Sequence, residues 1–374
     1  MHTRYDLPLI GATLFLLSWG TIMIYSTGGV YADLQYNDGQ YFLYKHLLHM
    51  LVGLIAMGVA LIVNYHKWQQ YSIWFMLGML ALLILVLIPE IGHEVKGGRR
   101  WLRMGPFSLQ PSELLKVVLI IYVASYLERK QEVLASFFRG LTPNFIVTGI
   151  YLFLVLLQPD FGTVVLIATT VLLMLYVGGG RPVHIATSLV GVGIIGGLLI
   201  ASHTYRVRRM LAFLNPWDDP QNSGFQIIQS FIALGTGGWF GRGLGESLQK
   251  RLFLPDAHTD FIFAIIGEEL GLWGAISVLT IFLMIFQRGI KIAKETNDPF
   301  GIMLTIGISF SIIIYTFINV AVVTGIFPVT GLPIPLISHG GSNLVINLAC
   351  MGILLNISQA KRSVNHNSSW RPNF

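Results

Sequence analysis

Ten runs of mostly apolar residues constrain this chain more than anything else in it. They lie near 8–28, 45–64, 70–89, 110–127, 142–158, 162–179, 184–202, 261–286, 302–327 and 334–358. A helix needs about 20 residues to cross the hydrocarbon core of a bilayer. In that core every backbone polar group must be satisfied internally, so runs of this length are expected to be helices. The charged fraction agrees: 11% here, against about 25% in a soluble domain. The expected fold is all-α, a polytopic membrane protein with ten transmembrane helices. A large extracytoplasmic loop, about 203–260, precedes helix eight. No linker or repeat divides the chain, so residues 1–374 read as a single integral membrane domain. The stretch from Pro8 to Tyr25 is longer than a signal h-region and reads as a first span. The end, about 360–374, starts at Lys361 and Arg362 and turns Asn/Ser-rich. It reads as a short disordered cytoplasmic tail.

An even number of spans puts both ends on one side. With the ends inside, the inner loops hold Lys67, Arg129, Lys130, Arg181, Arg288, Lys291 and Lys294, as the positive-inside rule expects. The outer loops carry nearly as many cations, concentrated in 96–103 and 203–260. Two readings stay open for these: a specific anionic ligand on the outer face, or snorkelling side chains on lipid phosphates. The formal charge of +6 favours an anionic partner, but the basic residues are scattered over short loops, which argues against nucleic acid. The single cysteine, Cys350, leaves no intrachain disulfide and no cysteine-cluster metal site.

Four stretches and one acid stand out. Gly97-Gly98-Arg99-Arg100-Trp101 runs into Gln110-Pro111-Ser112-Glu113-Leu114-Leu115-Lys116. Pro111 suits the first turn of a helix. Glu113 and Lys116 then share a face and can pair, either locking helices together or lining a polar cavity for an anion. Asp160, in Gln158-Pro159-Asp160-Phe161-Gly162, can cap the next helix, line a cavity or bind a metal. The 203–260 loop, with Arg209, a Gly235–Gly245 glycine cluster and Lys250, is far longer than ordinary loops, and such loops carry function. Its glycines fit neither a P-loop nor a dinucleotide site. Pro328–Ser342 breaks the last connection with three prolines before His339, and broken helices at membrane depth line cavities. His339 there reads as a packed polar residue rather than a base. Asp260 closes the long loop in Ala257-His258-Thr259-Asp260-Phe261, at the mouth of the eighth run. Such a carboxylate can N-cap its helix, mark a functional site, or do both. Glu268 and Glu269, further in, read as packing or cavity-lining residues.

Together these stretches resemble the SEDS family of bacterial cell-wall polymerases (FtsW, RodA and SpoVE), over nearly the whole chain. Asn215-Pro216-Trp217 and Gly243–Lys250 are most similar to its FtsW division branch. His339 and Asn343 depart from the family's usual Tyr and Ser, at positions expected not to touch the catalytic loop. The resemblance implies ten spans with both ends cytoplasmic in the bacterial inner membrane, at the septum. It implies a glycosyltransferase that polymerises lipid II, a disaccharide-pentapeptide on undecaprenyl pyrophosphate. It also implies a class B penicillin-binding protein and other divisome proteins as partners. Carried over, the acid of the His258-Thr259-Asp260 motif is the catalytic residue, a general base for an inverting transfer. Arg99, Arg100, Arg209, Lys250 and Lys116, the last oriented by Glu113, are the expected pyrophosphate ligands, with Asp160, His258 and Thr259 beside them. A divalent cation (Mg or Mn), held by Asp260, belongs to the same expectation; no organic cofactor does. The rival functions are a lipid II flippase and a non-catalytic divisome scaffold.

Overall fold

The computed structural model describes residues 5–95, 97–105, 107–201, 204–251 and 253–359; the tail expected at 360–374 lies outside them. Helices occupy all ten expected runs. In chain order they are α1 (Leu7–Tyr36), α2 (Tyr41–Ile62), the short α3 (Tyr65–Gln70), α4 (Ser72–Leu87), α5 (Pro111–Arg129), α6 (Thr142–Leu156), α7 (Phe161–Val177) and α8 (Pro182–Ala201). Then come α9 (Thr204–Leu214) and α10 (Phe225–Gly237) in the long loop, followed by α11 (Ile262–Glu295), α12 (Pro299–Val323) and α13 (Gly341–Gln359). Six helical segments are long and apolar enough to cross a membrane on length and composition alone. The helices α4, α7 and α8 are shorter and apolar. The chain is a multi-pass membrane protein.

α5 sits at the centre. It carries Glu113, Lys116, Glu128 and Arg129, yet it is buried on nearly every face, against α4, α7 and α12. Small residues set the closest helix approaches, as expected where lipid supplies no hydrophobic drive. On α2, a Cβ at Gly53 would lie 2.5 Å from Leu348 Cδ1 of α13. On α13, a Cβ at Gly352 would lie 2.3 Å from the Met57 carbonyl oxygen of α2. At the end of α2, Asn356 Nδ2 donates to the Leu61 carbonyl at 2.5 Å, and its Oδ1 accepts from Tyr65 N at 3.1 Å. That side chain satisfies backbone groups a helix end leaves open. Asp6 caps α1 through Leu9 N at 3.0 Å and takes Arg288 Nε of α11 at 3.0 Å.

Two features go beyond the expected fold. Between α4 and α5 lies a three-stranded antiparallel sheet, β1 (Gly92–Val95), β2 (Gly98–Met104) and β3 (Phe107–Leu109), paired in that order. Gly92 faces Leu102, and Leu102 faces Leu109. Gly97 and Gly105, with φ of 76° and 63°, sit in the two connections, where hairpin turns favour positive φ. These strands are short and charged, so a search for apolar runs passes over them.

The second departure is α11. It is 34 residues long, roughly 51 Å at 1.5 Å per residue, against a core of about 30 Å. Gly271 breaks it with φ 69° and ψ −166°. Before the break, Ile262–Glu269 are buried throughout; after it, Leu272, Trp273, Ile276 and Leu283 are exposed. The outward-facing membrane helix therefore starts at the break, and 262–270 is an inner, protein-enclosed piece.

Candidate active site

The long loop docks onto this broken helix through its backbone. Arg242 N donates to the Glu268 carbonyl at 3.0 Å, Gly243 N to Glu269 O at 2.9 Å, and Leu272 N to Gly238 O at 2.9 Å. Side chains finish the seam. Glu268 accepts from Ser247 Oγ and from Leu248 N at 3.0 Å. Glu269 takes Lys250 Nζ at 2.8 Å and Ser26 Oγ of α1 at 2.7 Å. The two acids thus brace the loop that leads to Asp260.

Asp260 follows a tight turn in which Thr259 N and Oγ1 both donate to Asp256 O, at 3.0 and 3.1 Å. Phe261 holds the N-cap position of α11, and its own side chain makes no capping bond. Asp260 is half-buried. Its carbonyl accepts Asn319 Nδ2 of α12 at 2.6 Å. Across from the carboxylate runs Gly331 (φ 75°), where a Cβ would lie 3.4 Å from Asp260 Oδ2.

Gly331 belongs to the irregular segment 324–340 between α12 and α13, which enters the bundle as expected. It reaches the middle of α1, where a Cβ at Gly20 would meet the Ile337 backbone at 2.8 Å. Ser338 closes the segment on itself, accepting Ile334 N at 2.8 Å and donating its own N–H to Ile334 O at 3.1 Å. His339 N donates to the His258 carbonyl at 3.0 Å, with the two rings 5.9 Å apart. Asn343 Nδ2 donates to Glu113 Oε2 at 3.0 Å. The expectation that the His339 departure stays clear of the catalytic loop is therefore wrong: His339 is bonded to it. His258 also packs on Phe42 of α2, with 4.4 Å between centroids.

The expected anion ligands divide into two groups. Arg209 is exposed, with Nη1 3.5 Å from the Val329 carbonyl, in the irregular segment that faces Asp260. Arg99 is partly exposed, and its Nε lies 3.4 Å from Glu94 Oε2 across the β1–β2 hairpin. The other three are committed internally. Arg100 turns inward, donating to Gln158 O at 2.9 Å and Pro159 O at 2.5 Å, with Asp160 4.0 Å away. Lys250 is buried on Glu269. Lys116 is buried on Glu113 at 2.8 Å and lies over the Tyr315 ring at 4.4 Å. Glu113 also accepts Tyr315 Oη–H at 2.7 Å. Asp160 is buried, caps α7 through Thr163 N at 3.3 Å, and accepts Ser112 Oγ and Gln110 Nε2 at 3.2 Å each.

The sequence from residue 7 to 363 matches the model of the FtsW/RodA/SpoVE family, described as cell cycle proteins. The chain belongs to the FtsW/RodA/SpoVE family. It is 45% identical to the probable peptidoglycan glycosyltransferase FtsW of Geobacter metallireducens, over 95% of each chain. It is 42% identical to stage V sporulation protein E of Bacillus subtilis, over 96% of this chain and 98% of that one. Among solved structures it superposes on a peptidoglycan synthase complex described as coordinating polymerization and crosslinking. There the TM-score is 0.80 and the identity 25%, covering 96% of this chain and 99% of that one. Thermus thermophilus RodA shares the fold, with a TM-score of 0.72 at 22% identity over 96% of this chain and 99% of that one.

In this FtsW/RodA/SpoVE-family chain, the geometry supplies a partly accessible carboxylate beside an irregular wall, with the exposed Arg209 on the same wall. That suits proton abstraction next to an anionic group. Among the described residues, no three His, Cys, Asp or Glu side chains converge on a metal position. Sequence reasoning missed Asn319 and Gly331. Asn319 carried a signal, a lone amide inside the 302–327 apolar run; Gly331 looked like any other loop glycine.

Proposed function

We propose that this chain, a peptidoglycan glycosyltransferase, polymerises lipid II with Asp260 as general base. The acceptor GlcNAc 4-hydroxyl attacks C1 of the donor MurNAc as its proton passes to the Asp260 carboxylate. The bond from C1 to the pyrophosphate oxygen breaks, the electron pair leaves with undecaprenyl pyrophosphate, and the configuration at C1 inverts. A positioned base contributes roughly 10²–10⁴-fold. Arg209 and Arg99 are the accessible cations for the departing pyrophosphate. Lys116, Lys250 and Arg100 act through structure, holding α5, the long loop and the Gln158–Asp160 turn.

The observation that carries this reading is Asp260 itself. It stands half-buried at the mouth of α11, and it faces Gly331 of the irregular segment, where a Cβ would lie 3.4 Å from its Oδ2. A magnesium or manganese ion fits as a companion of the substrate. Such ions bind through one or two carboxylates plus phosphate oxygens, and Asp260 would be the carboxylate. The finer setting is part of the same proposal: the bacterial inner membrane at the septum, both termini cytoplasmic, with a class B penicillin-binding protein and other divisome proteins.

The test is glycan synthesis from lipid II in detergent by the purified chain with its penicillin-binding partner. Wild type is expected to give polymer, and folded Asp260→Ala and Asp260→Asn none. Wild-type-like product from either variant would sink the assignment. Headgroup transfer across liposomes without polymer would favour the flippase, and neither activity the scaffold.

A further inference from the structure

Asn319 is a costly residue for its place. It lies on α12 in an apolar run and is 1% exposed. A buried amide is expensive unless its hydrogen bonds are made. Its amide nitrogen has two hydrogens, and both are used: one goes to the Asp260 carbonyl and one to the Leu332 carbonyl, each at 2.6 Å. The flipped amide would set Oδ1 against two carbonyl oxygens, so the network fixes the orientation. Oδ1 has no hydrogen-bond partner among the described residues. The side chain is therefore held in place by its two donors.

Those donors join the two walls of the site. One wall is the peptide of Asp260. The other is the irregular segment at Leu332, adjacent to Gly331, which faces Asp260 Oδ2. A second tie, His339 N to His258 O at 3.0 Å, fastens the same two walls just upstream. With that tie in place, loss of Asn319 loosens Asp260 locally and leaves the segment docked.

We propose that Asn319 is a positioning residue for the transfer reaction, fixing the Asp260 carboxylate relative to the Gly331 wall. It acts through Asp260 and does not touch the sugar. The proposal rests on Asp260 being the base. A bland alternative is that Asn319 only ties α12 to the segment; the two readings differ in what a substitution does to turnover.

The experiment compares wild type, Asn319→Ala and Asn319→Asp as full chains with the penicillin-binding partner and lipid II. Asn319→Ala is expected to lower kcat roughly 100-fold, the size of effect that follows a small misplacement of a catalytic group. KM should change little, the pattern of an interaction lost from the transition state. In Asn319→Asp, burial between two carbonyl oxygens favours the protonated acid, whose single O–H restores one tie. Its kcat should be intermediate at low pH and fall as pH rises and the acid ionises, an alkaline limb absent from wild type. Asn319→Asp carries the test if Asn319→Ala does not fold. A separate reading needs no activity: Asp260→Cys, with Cys350→Ala, is labelled by a small maleimide with and without Asn319→Ala, and labelling should rise several-fold with it. If wild type makes no polymer, the catalytic reading fails, while labelling still reports on the tie. A folded Asn319→Ala with unchanged kcat and labelling overturns the proposal, and so does a loss confined to KM.

Discussion

Lys250 and Glu269 form an ion pair of 2.8 Å across 19 residues of chain, with both side chains buried. One lies near the end of the long loop and the other on the first piece of α11, so the pair closes the loop over the helix that Asp260 precedes. Ser26 of α1 joins both, donating to Glu269 at 2.7 Å and accepting from Lys250 at 2.9 Å. Lys250→Ala would strand a buried carboxylate and is expected to cost about 3–5 kcal/mol. The double change Lys250→Met with Glu269→Gln removes both charges and should cost much less. Thermal unfolding in detergent, arranged as a double-mutant cycle, checks both.

Tyr315 donates to Glu113 Oε1 at 2.7 Å in the centre of the bundle. Tyr315→Phe deletes one hydrogen bond to a charged acceptor and little volume. It should cost about 1.5–3 kcal/mol. Because the group is buried, the loss should persist in high salt, which screens exposed charges far more. Melting at two salt concentrations is the measurement.

Gly271 occupies a backbone region open essentially to glycine alone, and a Cβ there would meet Gly241 N at 2.4 Å. Gly271→Ala should undock the long loop, seen as faster proteolysis between α10 and α11. Gly78→Ala on α4 is the control: nothing lies within 4 Å of its Cβ position, and removing a helix-interior glycine there should stabilise by up to about 1 kcal/mol.

Asp160→Ala removes the cap of α7 and the acceptor for Ser112 and Gln110. The cap alone is worth about 1 kcal/mol. Asp160→Asn keeps an acceptor oxygen and should recover part of the loss. A melting shift in the order wild type, Asn, Ala is expected; equal shifts for Asn and Ala would refute the capping role.

Asp219 is held below the usual carboxylate range by donors from Asn222 and Ser223. A depressed folded-state pKa gives stability that is present above the unfolded value and lost as pH falls through the folded one. The turn ahead of α10 should therefore keep its order through mildly acidic pH and lose it only below the ordinary carboxylate range. Asp219→Asn should make the turn insensitive to pH. Hydrogen exchange at Ser223 N, corrected for its intrinsic pH dependence, reads this out.

The ten helices were legible because each is a long apolar run, and a bilayer admits little else at that length. Asp260 was legible because a carboxylate at a span mouth is costly, and its motif stands out at the end of the long loop. The β1–β3 sheet was not, being short and charged. Nor was the division of the cations: Arg209 and Lys250 look alike in a basic loop, yet Lys250 is buried on Glu269 while Arg209 is exposed.

Sequence alone determined the membrane class and the placement of helices in the ten apolar runs, since both follow from local composition and local cost. Tertiary structure decided the rest. It decided that Glu268 and Glu269 hold the loop, and that Asn319 joins two walls 59 and 13 residues away in sequence. Those outcomes depend on which distant backbone carbonyls meet a buried donor, and only the packed chain specifies that.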